Sequence, residues 1–284
     1  MIDLAEVQSA FPQLRDIVPL RGVSGQKEVL RASLRGKGVC LKIVKPYKGG
    51  DARTQREIHA VTRLTSTFVP AIYDHGAVSL RGEVRQYIIE EFIEGETHRQ
   101  ILNQRPVQPL CSVLDLINAL LLACCDFEAA HLVHRDIKPE NLLIDANGKV
   151  WVLDFGLARH LDLTSVTLTG QHFGVGTVGY APPEQYRNLK PEISSRTDLY
   201  SIGMVAYESL AGRHPFLSLG LDHLGVIRKM DSTDVPVLHI RGDGRGELSA
   251  FLSNLLQRFP SRRPQNAAEA IAWFRPIHAS LRCR

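Results

Sequence analysis

The chain has 284 residues, of which 44% are hydrophobic and 23% are charged, a balance typical of a globular protein with a core of ordinary size. Its formal net charge of +4 comes without a long block of like charges, so we expect neither a nucleic-acid-binding arm nor a membrane-binding one. The five cysteines follow no CxxC spacing, which argues against a disulfide framework or a zinc site and favours a reducing cytoplasm.

Two segments bear on targeting. The N-terminal residues carry acidic side chains early, at Asp3 and Glu6, and have no apolar stretch, so we expect no secretory signal. The most apolar run, residues 113–125, is interrupted by Asp115 and Asn118 and is shorter than the roughly 20 residues that cross a bilayer. We therefore interpret this run as a buried helix of a soluble protein.

The first third of the chain is rich in strand signals. Residues 18–44 contain the β-prone runs KEVLRAS and GVCLKIV, separated by glycine-bearing turns. Residues 51–64 place Ile58, Val61 and Leu64 at helical spacing, so a single helix interrupts the strands. Strands are predicted to resume over residues 71–78 and 84–92.

Helical patterns dominate after Gly95. We predict helices over residues 113–131, 197–210, 247–257 and 267–273. This order indicates an α+β fold with a strand-rich front, a hinge at residues 91–95 and a helix-rich back. Residues 162–177 form a long polar stretch without an element of its own, and loops of that length in compact domains are usually functional or disordered.

The strongest chemical signal is the sequence HRDIKPEN at residues 134–141, followed after another strand by DFG at residues 154–156. Phosphoryl transfer needs an oriented hydroxyl, metal ions that neutralise the phosphates and a group that accepts the hydroxyl proton. Asp136 suits the proton acceptor, Lys138 suits the charge of the transferred phosphate, and Asn141 and Asp154 supply oxygen ligands for Mg²⁺, or for Mn²⁺ in its place.

The two sequences resemble the catalytic loop and the metal-binding turn of eukaryotic-type (Hanks-type) protein kinases. The resemblance implies a two-lobed fold with an antiparallel sheet and one main helix in the N-lobe and a mostly helical C-lobe. The compact outline without inserts is more similar to bacterial members than to animal signalling enzymes. ATP is the expected nucleotide and proteins are the expected substrates.

The resemblance also implies a nucleotide site upstream of the catalytic loop. Lys42 would hold the α- and β-phosphates, and Glu57 would pair with Lys42. The hinge would bind adenine through backbone groups of Glu91 and Ile93, with Glu90 as the gatekeeper. The side chains expected to enclose the adenine ring are Val29, Cys40 and Leu143.

The phosphate-covering loop departs from the family pattern GxGxxGxV. Residues 22–29 keep Gly22 and Val29 but have Ser24 and Lys27 where glycines are usual. Gly25 partly compensates, and Lys27 adds a charge. Fewer glycines restrict how closely the backbone approaches the phosphates.

Residues 176–184, GTVGYAPPE, resemble the end of an activation segment, the part of a protein kinase that holds a polypeptide substrate. The resemblance implies a buried ion pair between Glu184 and Arg263, and it implies that Asp198 braces the catalytic loop. Lys138 and Thr177 both follow the serine/threonine pattern, so serine or threonine is the expected acceptor.

Four hydroxyl side chains precede this segment and are candidate phosphorylation sites: Thr164, Ser165, Thr167 and Thr169. In similar kinases the arginine before the catalytic aspartate, here Arg135, grips a phosphate on this loop and orders it. We expect the enzyme to autophosphorylate there; the alternative is an unmodified polar loop.

The resemblance covers residues 18–274, divided into an N-lobe at 18–92 and a C-lobe at 93–274, with an N-terminal segment at 1–17 and a tail at 275–284. We therefore expect no sensor, anchor or docking domain beside it. Two other function classes stay open. A pseudokinase or nucleotide-binding scaffold would explain the eroded glycine loop, and a small-molecule phosphotransferase would explain the metal and base residues but not residues 176–184.

Overall fold

The computed structural model describes residues 3–20, 27–44, 62, 64–154, 177–217 and 220–282. An antiparallel five-stranded sheet forms the front of the molecule, and helices form most of the back. The predicted two-lobed α+β fold is thereby confirmed. The predicted helix over residues 51–64 lies almost wholly outside the described residues.

The front sheet has the strand order β1-β2-β3-β5-β4. Its strands are β1 (Leu14–Pro19), β2 (Lys27–Leu34), β3 (Lys37–Val44), β4 (Ile72–Leu80) and β5 (Glu83–Glu91). The last four lie where the alternating and β-branched runs predict them.

One face of this sheet packs on a helix that the sequence analysis did not predict. Helix α1 (Leu4–Ala10) begins at Asp3, whose carboxylate accepts a hydrogen bond from the Ala5 N–H at 2.9 Å. Val7 of α1 and Phe11 after it are buried against Leu41 and Ile89 of the sheet. The seven-residue helix is too short for a clear 3.6-residue period, so burial against the sheet, rather than local pattern, stabilises it.

The opposite face of the sheet points toward the C-lobe. Residues directly paired across antiparallel strands share a face, and every second residue along a strand does so too. The pairs Val29↔Lys42 and Cys40↔Glu90 therefore put β2, β3 and β5 side chains on one surface, together with Lys27 two residues before Val29. We call this surface the cleft face.

A short connection joins the two lobes where the hinge was predicted. Strand β5 ends at Glu91, and β6 (Gly95–Thr97) starts a second sheet with β7 (Leu142–Asp145) and β8 (Val150–Val152) in the order β6-β7-β8. Gly95 packs so closely on the Ile144 carbonyl that a Cβ at this position would overlap it. A glycine is therefore required where the chain enters the C-lobe.

The C-lobe is a set of helices around one apolar core. They are α2 (His98–Gln104), α3 (Leu110–Ala129), α4 (Pro183–Tyr186), α5 (Ser195–Ala211), α6 (His223–Ser232), α7 (Glu247–Leu255) and α8 (Ala267–Arg282). Helix α3 is long and apolar enough to cross a membrane by length and composition, but nine of its 20 residues are buried in the core, and the helix packs against α5 and α8. The predicted buried helix is confirmed.

Helix α8 is longer than the predicted span 267–273 and includes most of the predicted tail 275–284. Pro276 lies inside the helix. An interior proline removes a backbone hydrogen bond and usually ends or kinks a helix. Phe274 and Ile277 are buried on the face that meets the core. Their burial offsets the cost of the proline, and the helix continues.

Candidate active site

The catalytic loop is held from beneath by a carboxylate of α5. The N–H groups of His134 and Arg135 donate to the two oxygens of Asp198 at 2.7 and 2.8 Å. Arg135 has φ +65°, a left-handed conformation that is unfavourable for a side chain of its size, and these bonds stabilise it. The bracing role predicted for Asp198 is thus present in the structure.

Asp136 stands at the centre of a hydrogen-bonded group that contains all the predicted catalytic residues. The Thr177 hydroxyl donates to Asp136 Oδ1 at 2.9 Å, and Lys138 Nζ lies 2.8 Å from that hydroxyl and 3.2 Å from Asp136 Oδ2. Asn141 Nδ2 donates to Asp136 Oδ2 at 2.8 Å. A carboxylate that already accepts from one hydroxyl is placed to accept from a second.

Asn141 and Asp154 are brought to the same cleft from two sides of the β7–β8 hairpin. Asn141 ends a 3₁₀ turn that leads into β7, and the Leu153 N–H donates to the Asn141 carbonyl at 2.8 Å. The Asn141 amide nitrogen is taken by Asp136, which leaves its Oδ1 as the atom for a cation. Asp154 has φ +57° and follows directly on this segment.

The two lobes enclose a cleft of about 520 Å³. Its lining includes every predicted nucleotide residue that the structure describes: Val29, Cys40, Lys42, Glu91, Ile93, Leu143, Asn141 and Asp154. Leu20, Phe92 and Leu153 add to the apolar part of the lining. A mostly apolar cleft with a few converging polar groups at one end is what a nucleotide needs.

Cys40 contributes packing to this cleft. It is buried on β3, and burial raises the pKa of its thiol to about 12. The side chain is therefore a neutral thiol at physiological pH. This supports the interpretation of Cys40 as an apolar wall of the adenine pocket.

Four charged side chains meet at the polar end of the cleft face. Lys42 Nζ lies 2.6 Å from Asp154 Oδ1 and 2.6 Å from Glu90 Oε1, and Lys27 Nζ lies 3.2 Å from the same Asp154 oxygen. All four are largely buried. We call this group, with two positive and two negative charges, the cleft charge cluster.

The cluster explains the protonation of its members. Burial raises the pKa of Asp154, but Lys27 and Lys42 outweigh it and hold that pKa well below its usual value. Burial lowers the pKa of Lys42, but Asp154 and Glu90 raise it well above the ordinary range. Asp154 and Lys42 are therefore both charged at neutral pH.

The sequence analysis named Glu57 as the partner of Lys42, and Glu57 lies outside the described residues. Glu90 was identified as the gatekeeper without an ion pair to Lys42, which is the contact that the structure adds. The alternation of side chains along the strands could have predicted this contact. Glu90 pairs with Cys40 and is therefore a diagonal neighbour of Lys42 on the cleft face.

The predicted scaffold pair is also present. Arg263 makes a bidentate ion pair with Glu184, at 2.6 Å from Nη1 and 3.0 Å from Nη2. Both side chains are almost fully buried. The pair ties the end of the segment that follows Thr177 to the last part of the C-lobe core.

A second network was missed by sequence reasoning. Arg99 of α2 donates to Glu140 at 2.7 Å and to Glu208 at 2.8 Å, and it also donates to the Tyr180 hydroxyl at 2.5 Å. It thereby joins α2, the catalytic loop, the Gly176–Glu184 segment and α5. Each residue alone looks like a solvated charge in the sequence, and only the fold brings them together.

Seven of the predicted site residues lie outside the described part of the chain. They are Gly22 and Gly25 of the phosphate-covering loop, Glu57, and the four candidate phosphorylation sites Thr164, Ser165, Thr167 and Thr169.

Comparison with known proteins agrees with this geometry. The family model "Protein kinase domain" matches residues 21–273. The chain is 34% identical over 241 residues to the "Probable serine/threonine-protein kinase PknB" of Bifidobacterium longum, covering 77% of this chain and 33% of that protein. It is 33% identical over 237 residues to the "Serine/threonine-protein kinase PknL" of Mycobacterium tuberculosis, covering 81% of this chain and 57% of that protein.

A third relative is the "Serine/threonine-protein kinase PknB" of Mycolicibacterium smegmatis, 32% identical over 266 residues, which are 90% of this chain and 42% of that protein. The matched part is thus between about a third and three fifths of the length of these relatives. The family match spans both lobes, the cleft and the catalytic loop. The chain therefore belongs to the Hanks-type protein kinase family, and the relatives it resembles are bacterial serine/threonine kinases.

Proposed function

We propose that this chain is an ATP-dependent serine/threonine protein kinase. The observation that carries the proposal is the group around Asp136, in which a hydroxyl, an ammonium and an amide converge on one carboxylate beside the cleft. The bacterial relatives are named serine/threonine-protein kinases, which supports the same reaction here.

In the proposed reaction Asp136 accepts the proton of the acceptor hydroxyl. The acceptor oxygen bonds to the γ-phosphorus, and the bond between that phosphorus and the oxygen bridging to the β-phosphate breaks. Lys138 lies next to Asp136 and stabilises the negative charge of the transferred phosphoryl group. Asn141 and Thr177 fix the carboxylate of Asp136 through their hydrogen bonds.

The donor set suits a divalent cation. Asn141 Oδ1 and the Asp154 carboxylate are hard oxygen ligands, and Mg²⁺ is commonly bound by one or two such groups together with substrate phosphates. A bound Mg²⁺ would neutralise phosphate charge, with Mn²⁺ as an alternative ion. Lys42, held at Glu90 and Asp154, is placed to bind the phosphates at the end of the apolar cleft.

The segment after Thr177 supports a polypeptide as the acceptor. It is anchored by the Glu184–Arg263 pair and by the Tyr180 hydroxyl, which bonds to Glu208, next to the catalytic loop. We also propose that the enzyme autophosphorylates within residues 162–177, that Arg135 binds that phosphate, and that the protein acts in the cytoplasm without nucleic-acid or membrane partners.

The test is phosphate transfer from radiolabelled ATP with Mg²⁺ to a generic basic protein, to the chain itself and to a panel of aminoglycosides. Wild type is compared with Asp136→Asn, which keeps the shape of the side chain but removes the proton acceptor. We expect label on protein serine or threonine, reduced about a hundredfold or more in the variant. Label on an aminoglycoside alone, or ATP binding with no label in either protein, would contradict the proposal.

The proposed autophosphorylation is tested on the same samples by mass spectrometry. We expect phosphate on Thr164, Ser165, Thr167 or Thr169 in wild type and none in Asp136→Asn. A fully active wild-type enzyme without phosphate anywhere in residues 162–177 would remove the loop switch from the proposal.

A further inference from the structure

Lys27 is a buried lysine in a position where the family pattern has glycine. It lies within the phosphate-covering pattern of residues 22–29, at the position where β2 begins, and only 8% of it is exposed. Its ammonium group contacts Asp154 Oδ1 at 3.2 Å, and this is the contact that the described part of the chain provides for it. A lysine is seldom buried to this extent unless it has an anionic partner, and Asp154 is that partner here.

Lys27 and Lys42 point at one atom. Both ammonium nitrogens lie within 3.2 Å of the same oxygen, Asp154 Oδ1, so they are separated by less than twice that distance. Both also belong to the cleft face, since Lys42 pairs with Val29 and Lys27 precedes Val29 by two residues. Two ammonium groups at this separation can contact neighbouring oxygens of one polyphosphate.

The two lysines differ in their other partners. Lys42 has a second carboxylate, Glu90, at 2.6 Å, whereas Lys27 has its described contact with Asp154 alone. Asp154 is also the carboxylate suited to a divalent cation. If Asp154 held that cation, Lys42 would keep its contact with Glu90, whereas Lys27 would lose the carboxylate that it contacts and a phosphate oxygen could replace it.

We propose that Lys27 is a second phosphate-binding lysine, which moves from Asp154 to the polyphosphate of the nucleotide when the nucleotide binds. The inference rests on the proposed function in one respect, namely that the cleft binds a nucleoside triphosphate. It assigns to Lys27 a direct ligand contact. The opposing explanation is that Lys27 only neutralises Asp154 and takes no part in nucleotide binding.

The experiment measures binding, so it does not depend on catalysis. Isothermal titration with Mg²⁺ gives the Kd of ATP, ADP and adenosine for wild type and for Lys27→Met, which keeps the length of the unbranched stem. A lysine that contacts phosphate affects ATP and leaves adenosine unchanged. We expect the Kd of ATP to rise about tenfold or more and that of adenosine to change less than about twofold.

The matched control is Lys37→Met. Lys37 is an exposed lysine at the far end of the same β2–β3 hairpin, where it pairs with Leu34. It carries the same net-charge change at a distance from the cleft face, so its ATP affinity should equal that of wild type. Lys27→Gln serves as a second variant, with folding checked by circular dichroism, in case methionine at this position prevents folding.

The outcomes distinguish the proposed role of Lys27 from the proposed kinase activity. Wild-type affinity for ATP in a folded Lys27 variant, or an equal loss of ATP and adenosine affinity, would overturn the second phosphate-binding lysine while leaving the proposed kinase intact. Failure of wild type itself to bind ATP would overturn the proposed function, and the inference with it. A selective loss of ATP affinity supports the inference whether or not phosphate is transferred.

Discussion

Two buried ion-pair groups, one within the C-lobe and one between the lobes, are built differently. In the C-lobe, all five N–H bonds of Arg263 are used: two go to Glu184, and the others go to the carbonyls of Gln257, Arg196 and Arg258. Between the lobes, the cleft charge cluster concentrates two lysines of the N-lobe on a single oxygen of Asp154. Every N–H group of Arg263 has its own acceptor, whereas the two lysines share one.

The difference shows how burial serves two purposes. A saturated guanidinium in a dry environment has no reason to exchange partners, so the C-lobe pair holds the segment after Thr177 in one place. A carboxylate oxygen shared by two ammonium groups can release either one when a ligand offers another anion. The C-lobe group is thus a permanent link, and the cleft charge cluster is an arrangement that a ligand can replace.

One substitution in each group tests this difference through the free energy of unfolding. Arg263→Met leaves the Glu184 carboxylate buried without its partner, and we expect a loss of about 3–5 kcal/mol in the free energy of unfolding. Lys27→Met leaves Asp154 paired with Lys42, so no carboxylate loses its last partner, and we expect a smaller loss of about 1–2 kcal/mol. Urea unfolding measures both. Equal losses would mean that the cleft cluster is a structural link as well.

Acidification should destabilise the C-lobe through His214, which contacts the same segment after Thr177. Its Nδ1 accepts the N–H groups of Phe216 and Leu217 at 3.1 Å each, and its Nε2 lies 3.2 Å from the Gly179 carbonyl. Burial, as the main cause, lowers the pKa of His214 to about 4. Gly179 has φ +97°, and a Cβ there would lie only 3.0 Å from this ring.

The unfolded chain takes up the proton near pH 6.5 and the folded chain only near pH 4, so stability is complete above pH 6.5 and falls as the pH drops through this window. We expect a loss of about 3 kcal/mol from His214 by pH 4. In His214→Asn, whose side-chain oxygen can still accept the two N–H groups, urea unfolding should vary less with pH. An unchanged pH dependence would show that His214 does not titrate as inferred.

Glu90→Gln tests the cleft charge cluster. The amide keeps the shape of the side chain but removes the charge opposite Lys42, so we expect the KM for ATP to rise about tenfold. Because Asp154 and Glu90 raise the pKa of Lys42, the variant should also acylate faster at Lys42 near pH 9, as read by mass spectrometry. Glu83→Gln, at the exposed start of β5, is the control. Unchanged Lys42 reactivity would remove Glu90 as its positioning residue.

The smallest effect is expected where a pair is exposed. Arg31 and Glu94 lie 3.1 Å apart, but their side chains are 48% and 79% exposed. Solvent screens such a pair, so Glu94→Ala should change the free energy of unfolding by less than about 0.5 kcal/mol. A loss comparable to that of Arg263→Met would show that distance, rather than burial, decides the strength of these pairs.

The sequence predicts the catalytic loop well because its residues are close in the chain. Asp136, Lys138 and Asn141 are brought together by one loop and one 3₁₀ turn, and the pattern of residue types already specifies the chemistry. The strands β2 to β5 and the core helices follow from periodicity for a similar reason. Their signal is local, and burial in the fold agrees with it.

The contacts that the sequence did not predict join distant parts of the chain. Lys27 meets Asp154 across 127 positions, and Arg99 meets Glu208 across 109. Nothing in the local pattern of a lysine or an arginine distinguishes such a contact from a solvated charge. Only the sheet register and the packing of α2 on the catalytic loop decide it.

Helix α1 determines where the protein can be truncated without exposing its core. The family match starts at residue 21, yet Val7 and Phe11 cover the side of the sheet that faces away from the cleft. A shortened gene that starts at residue 18 would keep every residue of the phosphate-transfer chemistry but would expose Leu30 and Leu41 to water. Such a product should collect in inclusion bodies, because the residues that carry the chemistry begin later in the chain than the residues that complete the core of the sheet.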